Sequence, residues 1–151
     1  MKHDRKSCYV FDLDGTLADI QHRLHFIQKK PKNWEQFFAH IPFDTPIDHM
    51  VVLLMHLKSL KENIVFVTGR PERTRKNTIA WLNAWGIYDG EPIYMRHDND
   101  RMKDDDVKFY LLHALRHDNW EPEMVFDDRD RVVAMWRRQG IPCLQVANGD
   151  F

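Results

Sequence analysis

The chain holds 151 residues, enough for one ordinary domain, 1–151, that buries roughly two-thirds of its unfolded surface. Hydrophobic residues at 43% and charged residues at 30% exclude a disordered chain, and a formal net charge of -1 demands neither a nucleic acid nor a membrane. Two cysteines exclude a disulfide framework, and the lack of any apolar run near ~20 residues, or of a signal-peptide core after Met1–Lys6, makes a cytoplasmic location the expectation.

Short β-rich runs alternate with helical patterns, which predicts an α/β fold with a mostly parallel five-stranded sheet and helices on both faces. Cys8–Leu13 reads as the first strand. Ile47–Leu60 follows as a helix, with Ile47, Met50, Val51, Leu54, Leu57 and Leu60 on one stripe, Thr45 as N-cap and Pro46 at the first helical position. Asn63–Thr68 is the second strand, and Arg73–Trp85 a helix closed by Gly86. Pro92–Met95 is the third strand. Val107, Tyr110, Leu111, Ala114 and Leu115 mark the next helix, with Lys108 in its first turn. Glu123–Asp127 is the fourth strand, Asp130–Gln139 a helix stopped by Gly140, and Pro142–Val146 the last strand. Met50, Trp81, Trp85, Met135 and Trp136, at helical spacing, read as core; Trp34 and Phe38 are candidates for a base-stacking platform, with packing in a helix core as the stronger reading.

Three of these strands end in polar residues: Asp12, Thr68, and Asp127 with Asp128. Ligands of open α/β sheets bind beyond the carboxyl ends of strands, so one rim collects this chemistry. In Asp12-Leu13-Asp14-Gly15-Thr16 a carboxylate can attack phosphorus, and a second can protonate the leaving oxygen and then activate water. An Asx-type turn would account for this motif taken alone. Acids facing an anionic substrate need a cation, and an oxygen-rich set suits Mg²⁺. Thr68-Gly69-Arg70 offers a hydroxyl, an exposed N–H and a planar fork for phosphoryl oxygens. Lys108 could neutralise charge, or lie solvated on a helix. Adjacent acids at Asp127-Asp128 are costly unless a cation or hydrogen bonds compensate.

Taken in order, DxDGT, a strand ending in Thr, a lysine, and DD after a strand resemble the four-motif signature of the haloacid dehalogenase (HAD) superfamily. The resemblance implies a Rossmann-like fold, Asp12 as nucleophile and Asp14 as general acid/base. It implies Thr68, Gly69 and Lys108 around the phosphate, and Mg²⁺ held by Asp12, the backbone carbonyl of Asp14, Asp127 and, directly or through water, Asp128. Lys103-Asp-Asp-Asp-Val-Lys108, the run Val125–Gly140 and the ending Gln145–Phe151 further resemble the 3′-phosphatase domain of phage polynucleotide kinase-phosphatase. That similarity implies functional roles for Arg23, nine residues past Asp14, for Arg70 and for Asp104. The aromatic-rich segment Gln21–Asp44 is longer than that family suggests.

The activity so implied is Mg²⁺-dependent removal of a 3′-phosphate from a DNA or RNA end or a nucleotide, with a separate kinase or ligase as a possible partner and no membrane. No GxxxxGK[ST] occurs, so kinase activity by this chain is not expected. Neither Gly15–Pro46 nor Gly69–Arg101 has room for a large cap domain, leaving a site open to a polymer end. Two basic clusters, Arg70, Arg73, Arg75, Lys76 and Arg96, His97, Arg101, Lys103, could hold flanking phosphates. Rival readings are a small-molecule or nucleotide phosphatase on the same chemistry and an inactive phosphate-binding module. His113 and His117, at i,i+4 without a following glutamate, read as surface residues, and His22 and His25 as solvated loop.

Overall fold

The computed structural model describes residues 4–151; residues 1–3, part of the Met1–Lys6 stretch considered above, lie outside the described residues. Seven strands and six α-helices alternate along it. Five strands form one all-parallel sheet: β1 (Lys6–Phe11), β4 (Ile64–Pro71), β5 (Ile93–Arg96), β6 (Trp120–Asp127) and β7 (Cys143–Gln145). Their spatial order is β5-β4-β1-β6-β7. From central β1 the chain first winds outward through β4 and β5. It then crosses back to add β6 and β7 on the other side, so the crevice beyond β1 is a topological switch point.

Period-two alternation assigns the two faces. Cys8, Val10, Val65, Val67 and Val125 point to one side, where α5 (Asp104–His117) and α6 (Asp130–Arg138) contribute Val107, Leu111, Leu112, Leu115, Val133 and Trp136. Phe11, Phe66, Ile93 and Phe126 point to the other, against Met50 and Leu54 of α3 (Asp48–Ser59) and Trp81 and Leu82 of α4 (Arg75–Ala84). A sheet covered on both faces explains why β4 is buried at seven of its eight residues and why its first half, Ile64–Val67, is an unbroken apolar run.

The segment between β1 and α3 folds as a small cover: β2 (Ala18–Asp19), α1 (His25–Gln28), α2 (Trp34–Ala39) and β3 (Thr45–Pro46), with single 3-10 turns at Gln21–Arg23 and Ile41–Phe43. β2 and β3 pair antiparallel as a two-residue ribbon, so the segment leaves and returns at one place. This is a collar, and no large cap stands over the sheet.

Several expectations are corrected. Thr45 and Pro46 pair with β2 and do not cap α3, whose first helical residue is Asp48 after Ile47. Tying the collar's return to β2 uses both residues as strand. Helix α5 starts three residues earlier than its apolar spacing, at Asp104, because three acidic residues occupy a first turn whose dipole favours them. Lys108 is therefore in its second turn. Leu60, at 69% exposure, Trp85 and Trp34 lie at the surface, because each falls at the end of its helix, where the packed stripe runs out. Among the described residues no helix is long and apolar enough to cross a membrane.

Candidate active site

The loop after β1 carries Asp12 and Asp14. Immediately beyond β1 the chain turns back, with Thr16, Leu17 and Ala18 all donating their N–H to the Leu13 carbonyl. Gly15 makes this turn at φ +81, and a Cβ there would collide with the Asp128 carboxylate. Glycine thus permits both the turn and the close approach of the β6 loop. Thr16 Oγ1 donates to Asp12 Oδ2 at 3.2 Å.

Two charge clusters result. In the first, carboxylate oxygens of Asp12, Asp127 and Asp128 all lie within 4.8 Å of one another, each residue buried. Lys108 reaches them from α5 on the opposite face. Its ammonium, 2% exposed, donates to Asp12 Oδ1 at 2.9 Å and Asp127 Oδ2 at 2.8 Å. Burial, then the repulsion of Asp127, raise the Asp12 carboxyl well above its usual range even against the pull of Lys108. Burial and Asp127 likewise push Asp128 up to about 6. Burial alone would lower Lys108, yet Asp12, Asp127 and Asp104 hold it well above its usual value.

Three carboxylates against one ammonium leave two negative charges uncompensated in a pocket poor in water. The raised carboxyls register that deficit. The donors are all oxygen, with no Cys or His in the group, which fits a hard divalent cation such as Mg²⁺.

The second cluster is Asp14, Arg23, Arg70 and Asp44. Asp14 Oδ1 accepts from Arg23 Nη2 at 2.8 Å and from Arg70 Nε and Nη2 at 2.9 and 2.5 Å. Asp44 accepts from Arg23 Nε at 2.7 Å and Nη2 at 2.8 Å, and from Arg70 Nη2 at 3.2 Å. Burial opposes ionisation of Asp14, but Arg70 and then Arg23 outweigh it, and the carboxyl sits below its usual range. Two acids and two guanidinium groups make this cluster neutral. The Asp14 carboxylate is thus engaged by Arg23 and Arg70 and stands outside the group formed by Asp12, Asp127 and Asp128.

Thr68 and Gly69 lie within β4, which runs on to Pro71 past the expected end at Thr68. Thr68 is buried, and its Oγ1 accepts from the Arg70 N–H at 3.1 Å, which leaves the hydroxyl proton free to donate. A Cβ on Gly69 would run into Asp104 Oδ1. Asp104 stands 3.7 Å from the Lys108 ammonium and 3.4 Å from Arg96 Nη2, so it links α5 to the β5 loop. Asp12, Lys108, Asp127, Asp128 and Asp104 thus meet in one group, and Asp14, Arg23 and Arg70 in the other.

Other residues of this site carry no sequence signal. Asp44 lies in a stretch with no motif, yet its carboxylate is fully buried between two guanidinium groups, and its carbonyl accepts from Trp81 Nε1 at 2.8 Å. Thr78 accepts from Arg70 Nη1 at 3.1 Å. His22, read as loop, sits 2.7 Å from Asp44 Oδ1, whereas His25, His113 and His117 are exposed. The basic clusters are partly consumed by structure. Arg70 is buried against acids, Arg75 pairs with Glu72 and the Ile93 carbonyl, and Arg96 donates to the Gly69 and Met102 carbonyls. Arg73, Lys76, His97, Arg101 and Lys103 remain exposed.

Comparison with known proteins agrees with this geometry. Residues 6–151 match the family model of the polynucleotide kinase PNKP phosphatase domain. The "Putative bifunctional polynucleotide kinase/RNA ligase" of Autographa californica nuclear polyhedrosis virus is 26% identical over 132 residues, which is 87% of this chain and 18% of that protein. A chain of the Pnkp1/Rnl/Hen1 RNA repair complex superimposes with a TM-score of 0.83 at 29% identity, over 99% of this chain and 45% of that one. The class C acid phosphatase of Bacillus anthracis shares the fold, with a TM-score of 0.70 at 17% identity over 98% of this chain and 69% of that one. This chain therefore spans less than half the length of the viral and repair-complex proteins. With 146 consecutive residues matched and the acids, lysine and arginines gathered on one rim, the chain belongs to the HAD-type PNKP phosphatase-domain family.

Proposed function

We propose that this chain is a Mg²⁺-dependent phosphomonoesterase that removes 3′-phosphates from polynucleotide ends through an aspartyl-phosphate on Asp12. The observation that carries the reading is the gathering of Asp12, Asp127 and Asp128 within 4.8 Å, with Lys108 bridging two of them. Asp12, Asp127, Asp128 and the Asp14 carbonyl would hold the ion. When bound, it would supply positive charge that favours ionised Asp12 and offsets the charge of the phosphate.

The chain's own residues divide the remaining work. Lys108 and the Thr68 hydroxyl position the phosphoryl oxygens, with Lys108 also holding Asp12 in place to attack phosphorus. The P–O bond to the sugar breaks as the bond to Asp12 Oδ forms. Asp14 gives its proton to the departing 3′ oxygen, then takes one from the water that releases phosphate and regenerates Asp12. Between Arg23 and Arg70 the Asp14 carboxyl is ionised. An incoming phosphate competes for those guanidinium groups, and their withdrawal lets Asp14 take up a proton from solvent, which it then gives to the leaving oxygen. The phosphate's destination on polynucleotide ends is supported by the family match and by the two relatives whose names place them in polynucleotide or RNA repair. The same relatives make a kinase or ligase activity the expected company of this domain.

Phosphate release from 3′-phospho-DNA, 3′-phospho-RNA, 5′-phospho-DNA and mononucleotides, with and without Mg²⁺, tests the reading. Expected is release from 3′-phosphorylated oligonucleotides, dependent on the ion and abolished in Asp12→Asn. Equal cleavage of 5′-phosphates would refute the end specificity, and a mononucleotide with the higher kcat/KM would favour a nucleotide phosphatase.

A further inference from the structure

The collar carries a surface that the phosphate chemistry leaves unused. Helix α2, WEQFFA, places Trp34, Phe37 and Phe38 on one side through its i, i+3, i+4 spacing. Phe37 turns inward, where the Arg23 guanidinium covers its ring at 4.3 Å. Trp34 stays 45% exposed and stacks on Phe38 with ring centroids 5.8 Å apart and planes 23° from parallel. The two rings form a short aromatic ledge rather than core.

Cations flank this ledge. Lys32 Nζ stands 5.6 Å from the Trp34 centroid, and the Arg73 guanidinium carbon 5.2 Å from that of Phe38. Arg73 itself is half exposed, its nearest acid being Asp98 at 3.9 Å. It stands in the turn that directly follows β4, the strand that carries Thr68 and Arg70. The ledge is continuous with the site: Trp34 and Phe38 touch Phe37, Phe37 carries Arg23, and Arg23 donates to Asp14.

We infer that the Trp34 ring, backed by Phe38, forms a stacking platform for a base next to the scissile 3′-phosphate, with Arg73 and Lys32 beside it to face the adjoining phosphates. A π-face beside mobile cations matches single-stranded nucleic acid, whose bases stack on aromatic side chains while its backbone follows positive charge. A small phosphomonoester would reach Asp12 without touching the ledge. The inference rests on the polynucleotide reading above and names which part of the polymer is held. Lys32, on an exposed and flexible side chain, leaves the Trp34 ring when a base arrives.

The test is a cycle that removes the bases from the substrate and the ring from the enzyme. A 3′-phosphorylated oligonucleotide is compared with the same strand carrying abasic residues at its last two positions, in the unaltered protein, Trp34→Ala and Trp34→Phe. Loss of the bases should lower kcat/KM about 5- to 150-fold in the unaltered protein, mostly through KM, as expected for one stacked base. It should lower it less than twofold in Trp34→Ala, and Trp34→Phe should recover most of the difference. Equal losses in the unaltered protein and Trp34→Ala overturn the platform alone, whether Trp34 then meets a protein or nothing. No release from any 3′-phosphorylated oligonucleotide overturns the polynucleotide reading and the platform with it.

Discussion

Replacing Asp44 with asparagine tests whether a residue without a motif organises the site. The substitution keeps size and shape, so no cavity term enters, and it removes one charge from a carboxylate that accepts three arginine hydrogen bonds. Arg23 has no exposed side-chain surface and loses the partner of its Nε. Removing one member of a buried pair costs 3–5 kcal/mol, and Asp14 remains to pair both guanidinium groups, so about 3 kcal/mol is expected. For a domain of this size that is a fall in Tm of about 6–12 °C. At 25 °C, where the variant stays folded, Arg23 and Arg70 lose the group that fixes their planes, and kcat/KM should drop on the order of 100-fold. Thermal unfolding and phosphate release from a 3′-phosphorylated oligonucleotide read the two effects. The rise in Tm on adding Mg²⁺ should be unchanged, because Asp44 belongs to the other cluster. A Tm within 2 °C of the unaltered protein and turnover within twofold would show that Asp14 alone holds the arginines.

Three further outcomes are expected. Without metal, Asp128 binds its proton up to about 6 when folded against an ordinary 3.8, so the folded state holds more protons between those values and stability falls as pH rises through them. The loss approaches roughly 3 kcal/mol above pH 6; Mg²⁺ should accordingly raise Tm more at pH 7.5 than at pH 5, and the reverse order in calorimetry would count against a shared ion site. Gly15→Ala should abolish turnover and divalent-ion stabilisation together, since its Cβ meets the Asp128 carboxylate at a positive φ; retained activity would mean that the loop has room to shift. Thr78→Val leaves the Arg70 Nη1 donor at 3.1 Å without its acceptor and should cost about 1–3 kcal/mol by denaturant titration, with no cost if water replaces the hydroxyl.

What could be read from sequence follows from which interactions are local. The strands announced themselves because a sheet covered on both faces demands apolar runs, and Asp12, Thr68 and Asp127 because they interrupt such runs at strand ends. Arg23, nine residues past Asp14, was reached through family resemblance; periodicity gave no hint that a guanidinium there would be buried. Asp44 was missed because its role depends on a ribbon, β2–β3, of only two residues per strand, too short for any pattern. The same ribbon makes Thr45 and Pro46 strand, although Thr-Pro before an apolar stripe has the chemistry of a helix start. Trp34 was assigned to core by spacing, but a six-residue helix has no second turn to bury both sides. Tertiary context decided each of these.

The two clusters also explain why an enzyme of this type needs both. The Asp12 group holds three acids and one ammonium, a deficit of two charges that a divalent cation would close in the proposed reaction. The Asp14 group balances on its own, so each buried guanidinium has a carboxylate partner that offsets part of its desolvation. A phosphate dianion entering between them finds guanidinium groups already oriented, needing only to outcompete one carboxylate. In the proposed reaction that carboxylate is the one that next acts as an acid. If Arg23 and Arg70 were paired with Asp44 alone, substrate binding would leave the protonation of Asp14 untouched. Because they clamp Asp14 as well, the proposed reaction would make occupancy by phosphate and readiness of the proton donor one event.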